Sequence, residues 1–193
     1  MNYIIVISGP DNIGKTTLAK TISELKFKNC SIQKLELPTI EAYYEIPDFH
    51  RKKAEYFFEV ITNLNDNRDS QCLLLDRSMW DELVYGKYYR HYDVSYIKGF
   101  EQKCKSFKNV KFLFIVLYGD ETTVKRFSLK AKSNEKYNYQ KLSSLRRVST
   151  LFIDNIANVP FGKKLFVNEN NIRDTAKTVF PKSMKASGPI FFE

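Results

Sequence analysis

The run Ser8-Gly-Pro-Asp-Asn-Ile-Gly-Lys-Thr-Thr17 constrains this chain more than any other stretch. It satisfies the spacing Gly-x4-Gly-Lys-Ser/Thr through Gly9, Gly14, Lys15 and Thr16. Glycines at those places let the backbone curl until successive N–H groups converge on phosphate oxygens. A lysine next to the second glycine reaches β- and γ-phosphates, and the following hydroxyl suits Mg²⁺. A helix that begins at such a loop adds its positive end to the anion site. Both flanks agree with this reading. Tyr3 to Ile7 is a β-branched, aromatic run typical of a strand buried on both faces, and Leu18, Ile22 and Leu25 recur at helical spacing. The pattern predicts a nucleoside-triphosphate site that takes ATP and Mg²⁺ on Gly9, Asp11, Asn12, Ile13, Gly14, Lys15, Thr16 and Thr17. A chance glycine turn between a strand and a helix is the competing explanation.

The rest of the chain alternates strand and helix patterns. Ser31 to Leu37 reads as a second strand stopped by Pro38, and His50 to Leu64 as a helix with Ala54, Phe57, Phe58 and Ile61 on its apolar face. Cys72 to Leu75 is a third strand closed by Asp76. Met79 to Arg90 and Ser95 to Phe107 are helical. Val110 to Leu117, the most apolar stretch, is a central strand. Helices follow over Glu121 to about Ala131 and Tyr139 to Ala157, then a short strand at Leu165 to Val167 and a helix at Ile172 to Val179. This order predicts an α/β, three-layer P-loop NTPase fold, with a five-stranded, mostly parallel sheet flanked by helices. A chain of 193 residues suits one domain, 1–193, with a short basic lid around 130–140 and a poorly patterned tail over 181–193.

Composition narrows the partners. The formal charge of +9 favours anionic ligands, nucleotides first. The lysines are spread rather than clustered, so nucleic acid is the less favoured option and solvated faces account for much of the charge. Three cysteines without metal spacing suit a reducing, cytoplasmic setting. No run approaches a membrane span, and the N-terminal apolar run is too short for a signal peptide. A homodimer is an open option.

In a parallel sheet, chemistry gathers beyond the carboxyl ends of the strands. Strand two delivers Glu36, Pro38 and Thr39 there, and strand three delivers Asp76-Arg77-Ser78. An aspartate after an apolar strand is placed to hold Mg²⁺ or to orient an attacking oxygen, and an adjacent arginine offers a fork to a phosphate. A helix cap followed by a surface arginine is the plainer alternative. With these residues assembled, the sequence resembles the thymidylate kinases and related deoxynucleoside kinases. The loop from Gly9 to Thr17 carries Asp11 two residues after the first glycine, as in thymidylate kinases. Leu74-Leu75-Asp76-Arg77-Ser78 with Val84-Tyr85-Gly86 is similar to that family's Asp-Arg segment, and Arg126 sits six residues past Asp120, where the family opens its lid with an arginine. The likeness runs to about residue 167 and rests on few positions; the compact length suits a viral member.

The resemblance implies roles. Asp11 would bond the acceptor's sugar, Arg77 its phosphate, and Asp76, with Thr16, would organise Mg²⁺. Lys15, Asp76, Arg77 and Arg126 would form the catalytic set, with Lys130 and Lys132 beside Arg126 on the lid. The departures are equally specific. Glu36 stands where thymidylate kinases place an arginine, and Leu37 where deoxynucleoside kinases place a carboxylate before the proline. The family's aromatic-then-arginine pattern on the second long helix is missing. Arg51 is a candidate replacement for that arginine and Phe58 a candidate stacking face, against plain core packing; Tyr85 completes the acceptor candidates. The expected function is ATP-dependent phosphoryl transfer to a deoxynucleoside monophosphate. The alternatives are a deoxynucleoside kinase using Glu36 or Asp76 as base, and a kinase or ATPase acting on DNA or another polymer.

Overall fold

The computed structural model describes residues 1–24, 31–35, 47–67, 70–130, 142–172 and 174. Five strands form one sheet: β1 (Asn2–Ser8), β2 (Ser31–Leu35), β3 (Gln71–Asp76), β4 (Val110–Tyr118) and β5 (Lys163–Asn168), in the order β2-β3-β1-β4-β5. Every pairing is parallel. Strands of one direction need crossovers, and the crossovers supply the covering layers. These are α1 (Lys15–Ser23), α2 (Pro47–Asp66), α4 (Tyr96–Lys105), α5 (Glu121–Lys130) and α6 (Leu142–Ala157), with the short α3 (Glu82–Val84) between α2 and α4.

Burial follows from the topology. All seven residues of β1 are buried, and β4 is buried apart from Lys111 and its last residue, because both strands are flanked in the sheet and covered on both faces. Asn2 is the polar exception at the foot of β1, and its bonds are satisfied. Its amide donates to the carbonyls of Leu64 and Asn67, at 2.6 and 2.9 Å, and its oxygen accepts from Gln71 N at 2.9 Å. That clasp fixes the end of α2 and the start of β3 against β1. The β1–β3 register then sets Asp76 beside Ile7, so the carboxyl end of β3 lies next to the loop that follows β1.

The expected elements are present with shifted ends. The second strand is described as far as Leu35, and Glu36, Leu37 and the rest of the connection lie outside the described residues, as do the basic segment Lys132 to Asn138 and the tail from Pro181. The last expected helix is described only at Ile172 and Asp174. Met79 to Arg90 departs from a regular helix. It opens as a tight 3₁₀ turn over Met79–Asp81, whose start is fixed by the Ser78 hydroxyl accepting from Trp80 N at 3.3 Å. It passes through α3 and closes as a π turn over Tyr85–Tyr89. The wide turn brings Gly86 against Tyr92 and Val94, where a Cβ would stand 2.8 Å from both side chains. A continuous helix would hold residues 90 to 94 away from that contact.

Candidate active site

The loop between β1 and α1 turns through three residues of positive φ: Gly9 (140°), Asn12 (59°) and Gly14 (99°). Asparagine tolerates the left-handed region and glycine pays nothing there, so the sequence permits the curl. Gly14 caps α1 without a side-chain bond, and no acidic residue lies in the first turn. The leading N–H groups of α1 are therefore left for an anion.

Lys15 is 5% exposed, and its ammonium donates to the carbonyls of Gly9 and Pro10 at 2.8 and 2.6 Å. Burial pulls its pKa below the ordinary lysine value, against the attraction of Asp11. The Asp11 carboxylate lies 3.8 Å from the ammonium and accepts from Arg77 at 2.7 Å. Arg77 follows β3 in a left-handed conformation, φ 71°, and its N–H donates to Ile7 O at 3.3 Å. One carboxylate thus joins a cation from the start of α1 to a cation from the end of β3. Asp76 sits beside them with Lys34 Nζ 3.9 Å from its carboxylate.

A second polar group borders this one. His50 Nδ1 lies 3.0 Å from one oxygen of Glu82, and the other oxygen accepts from Arg90 at 2.9 Å and from the Tyr92 hydroxyl at 2.6 Å. Burial alone would raise the Glu82 pKa. Its bond to His50 and the charges of His50 and Arg90 carry it below the usual carboxylate value instead. Burial and the Glu82 charge push the Tyr92 phenol up. Lys53 on α2 is pulled down by burial and feels both Glu82 and Asp81.

Asp81 joins the two groups. Its carboxylate is 4% exposed and accepts from the Ser8 hydroxyl at 2.5 Å. Its other oxygen is sealed without a hydrogen-bond partner among the described residues. Burial pushes its pKa up to about 6, although Lys15 and the Ser8 bond pull the other way. The folded chain therefore binds this proton more tightly than the unfolded chain, whose carboxyl keeps the ordinary 3.8. The stability that comes from the proton is complete below about pH 4 and is lost as pH rises through about 6, about 3 kcal/mol in all. Denaturant unfolding of Asp81→Asn and the unaltered chain should show a stability difference that grows in favour of the variant across that window. A pH-independent difference would contradict the buried charge.

Beyond β4, Asp120 ties three segments together. One oxygen accepts from the N–H groups of Thr122 and Thr123, capping α5, and the other from the Asn168 and Asn170 amides at 3.3 and 3.1 Å. The Thr123 hydroxyl donates to Glu169 at 2.7 Å. Ile172, just past this turn, packs so close to the loop that a Cβ on Gly14 would meet it at 2.6 Å.

The structure brings together Gly9, Asp11, Gly14, Lys15, Asp76 and Arg77, with Thr16 and Thr17 exposed at the start of α1. Asn12 is exposed on the turn, and Ile13 is wholly buried, so only its backbone faces the loop. Three acceptor candidates are displaced. Phe58 stacks on Phe100 and Phe107, with Lys103 above its ring, because its side of α2 faces α4. Arg51 is mostly exposed and pairs with Glu55 at 3.1 Å; one residue earlier on the same helix, His50 turns inward. Tyr85 is buried beneath Arg90 and packs on Phe152, so it supports the arginine rather than lining an opening. Glu36 lies outside the described residues, as does the side chain of Arg126, which falls on α5. Sequence patterns missed His50, Asp81, Glu82, Arg90 and Tyr92, for which the available signal was an Asp-Glu pair following the Asp-Arg at a strand end.

No family model matches this chain, and neither does any curated protein. Its fold, however, recurs among solved structures. The YorR protein of Bacillus subtilis, in complex with phosphorylated GDP, superposes with a TM-score of 0.56 at 20% identity, covering 90% of this chain and 91% of that one. A deoxyadenosine kinase from M. mycoides, with the products dCMP and dCDP, gives 0.56 at 14% identity over 93% and 97%. A thymidylate kinase from Ehrlichia chaffeensis gives 0.51 at 13% identity over 90% and 96%. The three-layer α/β fold of these structures is the fold of this chain. Among the described residues, no helix is long and apolar enough to cross a membrane.

Proposed function

We propose that this protein is an ATP-dependent kinase that phosphorylates a deoxynucleoside monophosphate. The observation that carries this reading is Asp11, bracketed by Lys15 on the β1 side and Arg77 on the β3 side. One cation belongs to a loop shaped for a polyphosphate, and the other is a forked donor one short step away. Two phosphate-binding cations converging on one point suit a reaction in which both donor and acceptor carry phosphate.

The acceptor's own phosphate supplies the nucleophile. Its oxygen is already anionic near neutral pH and forms the new bond to the γ-phosphorus as the β,γ-bridging oxygen leaves with ADP, so no base is needed. The protein's work is to position the two phosphates and to neutralise their charge. Lys15 releases the Gly9 and Pro10 carbonyls and moves its donors onto the donor phosphates, Arg77 releases Asp11 for the acceptor phosphate, and Asp11 is freed for the sugar. Arg126 and the basic segment after it would add charge from the lid side. The oxygen donors of Thr16 and Asp76 fit Mg²⁺, a hard cation that keeps most of its ligands as water and phosphate, and would hold it there. The bound ion would screen charge on the transferring phosphoryl group.

A deoxynucleoside kinase is the second reading, favoured by Asp76, a strand-end carboxylate of the kind a 5′-hydroxyl acceptor would need as base. Transfer from ATP to a panel of deoxynucleosides and deoxynucleoside monophosphates separates the two; activity on nucleosides alone would overturn the first. Salt-sensitive DNA binding with no small acceptor would favour a polymer substrate instead. Arg77→Ala should lower kcat/KM for the monophosphate about 100-fold, as the loss of a charge-assisted fork implies, with ATP binding changed only a few-fold. Unchanged acceptor kinetics would remove Arg77 from the site.

A further inference from the structure

Asp11 is an anion lodged between two cations that phosphate would otherwise take. One oxygen of its carboxylate accepts from Arg77 Nη2 at 2.7 Å and lies 3.8 Å from Lys15 Nζ. The cations come from different elements, the start of α1 and the residue after β3, so only the fold pairs them. Shaping the loop does not account for this aspartate. Among the described residues, its carboxylate accepts no bond from a backbone N–H of its own turn, as one that merely held the turn would. The curl is set instead by the positive φ of Gly9, Asn12 and Gly14. Arg77 reaches the carboxylate from φ 71°, a left-handed conformation that a long side chain adopts only under constraint. The bridge is open to small solutes, with the Asp11 side chain 22% and the Arg77 side chain 44% exposed. An anion from solution can reach Arg77, but a carboxylate is already there. The newcomer must break a charge-assisted bond and then sit beside the displaced like charge.

We propose that Asp11 is a specificity-determining residue: its carboxylate occupies the Arg77 anion site and excludes anions that cannot bond to it in return. This rests on the reading of Arg77 as the clamp on the acceptor's phosphate. An acceptor whose sugar hydroxyl donates to Asp11 replaces the bond that Arg77 withdraws. An anion without a donor replaces nothing and keeps the repulsion. The cation that recognises phosphate is thereby kept from filling with inorganic anions.

The probe is inorganic sulfate, which is fully ionised near neutral pH and has no hydroxyl to donate. Its binding to the full chain, without nucleotide and at low salt, is measured calorimetrically for the unaltered protein and for Asp11→Asn, Asp11→Ala, Arg77→Ala and the Asp11→Asn/Arg77→Ala pair. Either substitution of Asp11 should tighten sulfate binding about tenfold, through the freed Arg77 fork and the lost repulsion. With Arg77 already replaced, Asp11→Asn should change sulfate affinity by less than about threefold. A deoxynucleoside monophosphate should bind Asp11→Asn no more tightly than it binds the parent. Sulfate affinity unchanged by both Asp11 substitutions would overturn the proposal. So would a gain that survives the loss of Arg77, since the anion would then lie on the phosphate loop alone. An equal gain for sulfate and the monophosphate would also overturn it, because Asp11 would then repel without discriminating. The expected sulfate pattern in a protein that phosphorylates no monophosphate would sink the functional reading and leave Asp11 as the occupant of the Arg77 site.

Discussion

Lys15→Ala should reduce phosphoryl transfer by a factor of about a thousand or more, the scale expected when a preorganised charge is removed from a transferring phosphoryl group. The fold should survive. The lysine's bonds run to two carbonyls of its own loop, and among the described residues no bond from it reaches another strand or layer. The ends of the strand and helix it joins are fixed elsewhere, by the β1–β4 ladder and by Leu18 N on Gly14 O at 2.9 Å. A transfer assay on protein whose far-ultraviolet dichroism and unfolding midpoint match the parent decides the matter. Activity within tenfold of the parent would mean that the loop binds something other than the reacting phosphates. The variant also leaves Asp81 without its main opposing charge, so its stability should decline more steeply with rising pH than the parent's.

Gly9→Ala should damage the fold rather than the chemistry. Gly9 holds φ 140°, a region that L side chains rarely adopt, and a Cβ there would stand 2.4 Å from the Leu117 carbonyl oxygen. The obstacle is backbone in the central strand β4, paired on both edges, so it cannot yield without breaking sheet contacts. Strain and overpacking together should cost about 4 kcal/mol, on the order of 10 °C in melting temperature for a chain of this size. Gly99 gives the opposite result and serves as control. It lies exposed inside α4 with nothing within 4 Å of an added Cβ, so Gly99→Ala should stabilise by about 0.5–1 kcal/mol. If both substitutions proved neutral, the close passage of the loop beneath β4 would be wrong.

The layout of this fold was written locally and could be read locally. Val110 to Leu117 is apolar apart from Lys111 because β4 is flanked on both edges, and the Gly-Lys-Thr signal fixed where β1 must end. Asp76 and Arg77 were legible for the same reason, since a strand end in a parallel sheet announces its own position. The polar group that borders the loop was not legible, because its residues depend on helical phase. Arg51 looked like the useful cation of α2, yet His50, one step earlier on the helix, turns inward toward Glu82. Phe58 looked like a platform for a base, but α4, a neighbour in space only, occupies its ring face through Phe100. Asp81 was invisible for a different reason. Between Trp80 and Glu82 it reads as an ordinary helix start, and only the close approach of Ser8 shows that it is sealed inside.

The wide turn at Tyr85–Tyr89 has a consequence for how relatives of this chain can diverge. A π turn holds one residue more than an α turn, so everything after it is rotated by about 100° relative to an unbroken helix. Arg90 and Tyr92 meet Glu82 because of that added residue. Loss of a single residue at the exposed Lys87 would restore the ordinary phase and swing both side chains off the carboxylate, with no change in their identity. The polar group around Glu82 is thus encoded partly by length. Chains with the same motifs but one residue fewer between Glu82 and Arg90 should lack the Arg90 and Tyr92 bonds to Glu82, even where every named residue agrees.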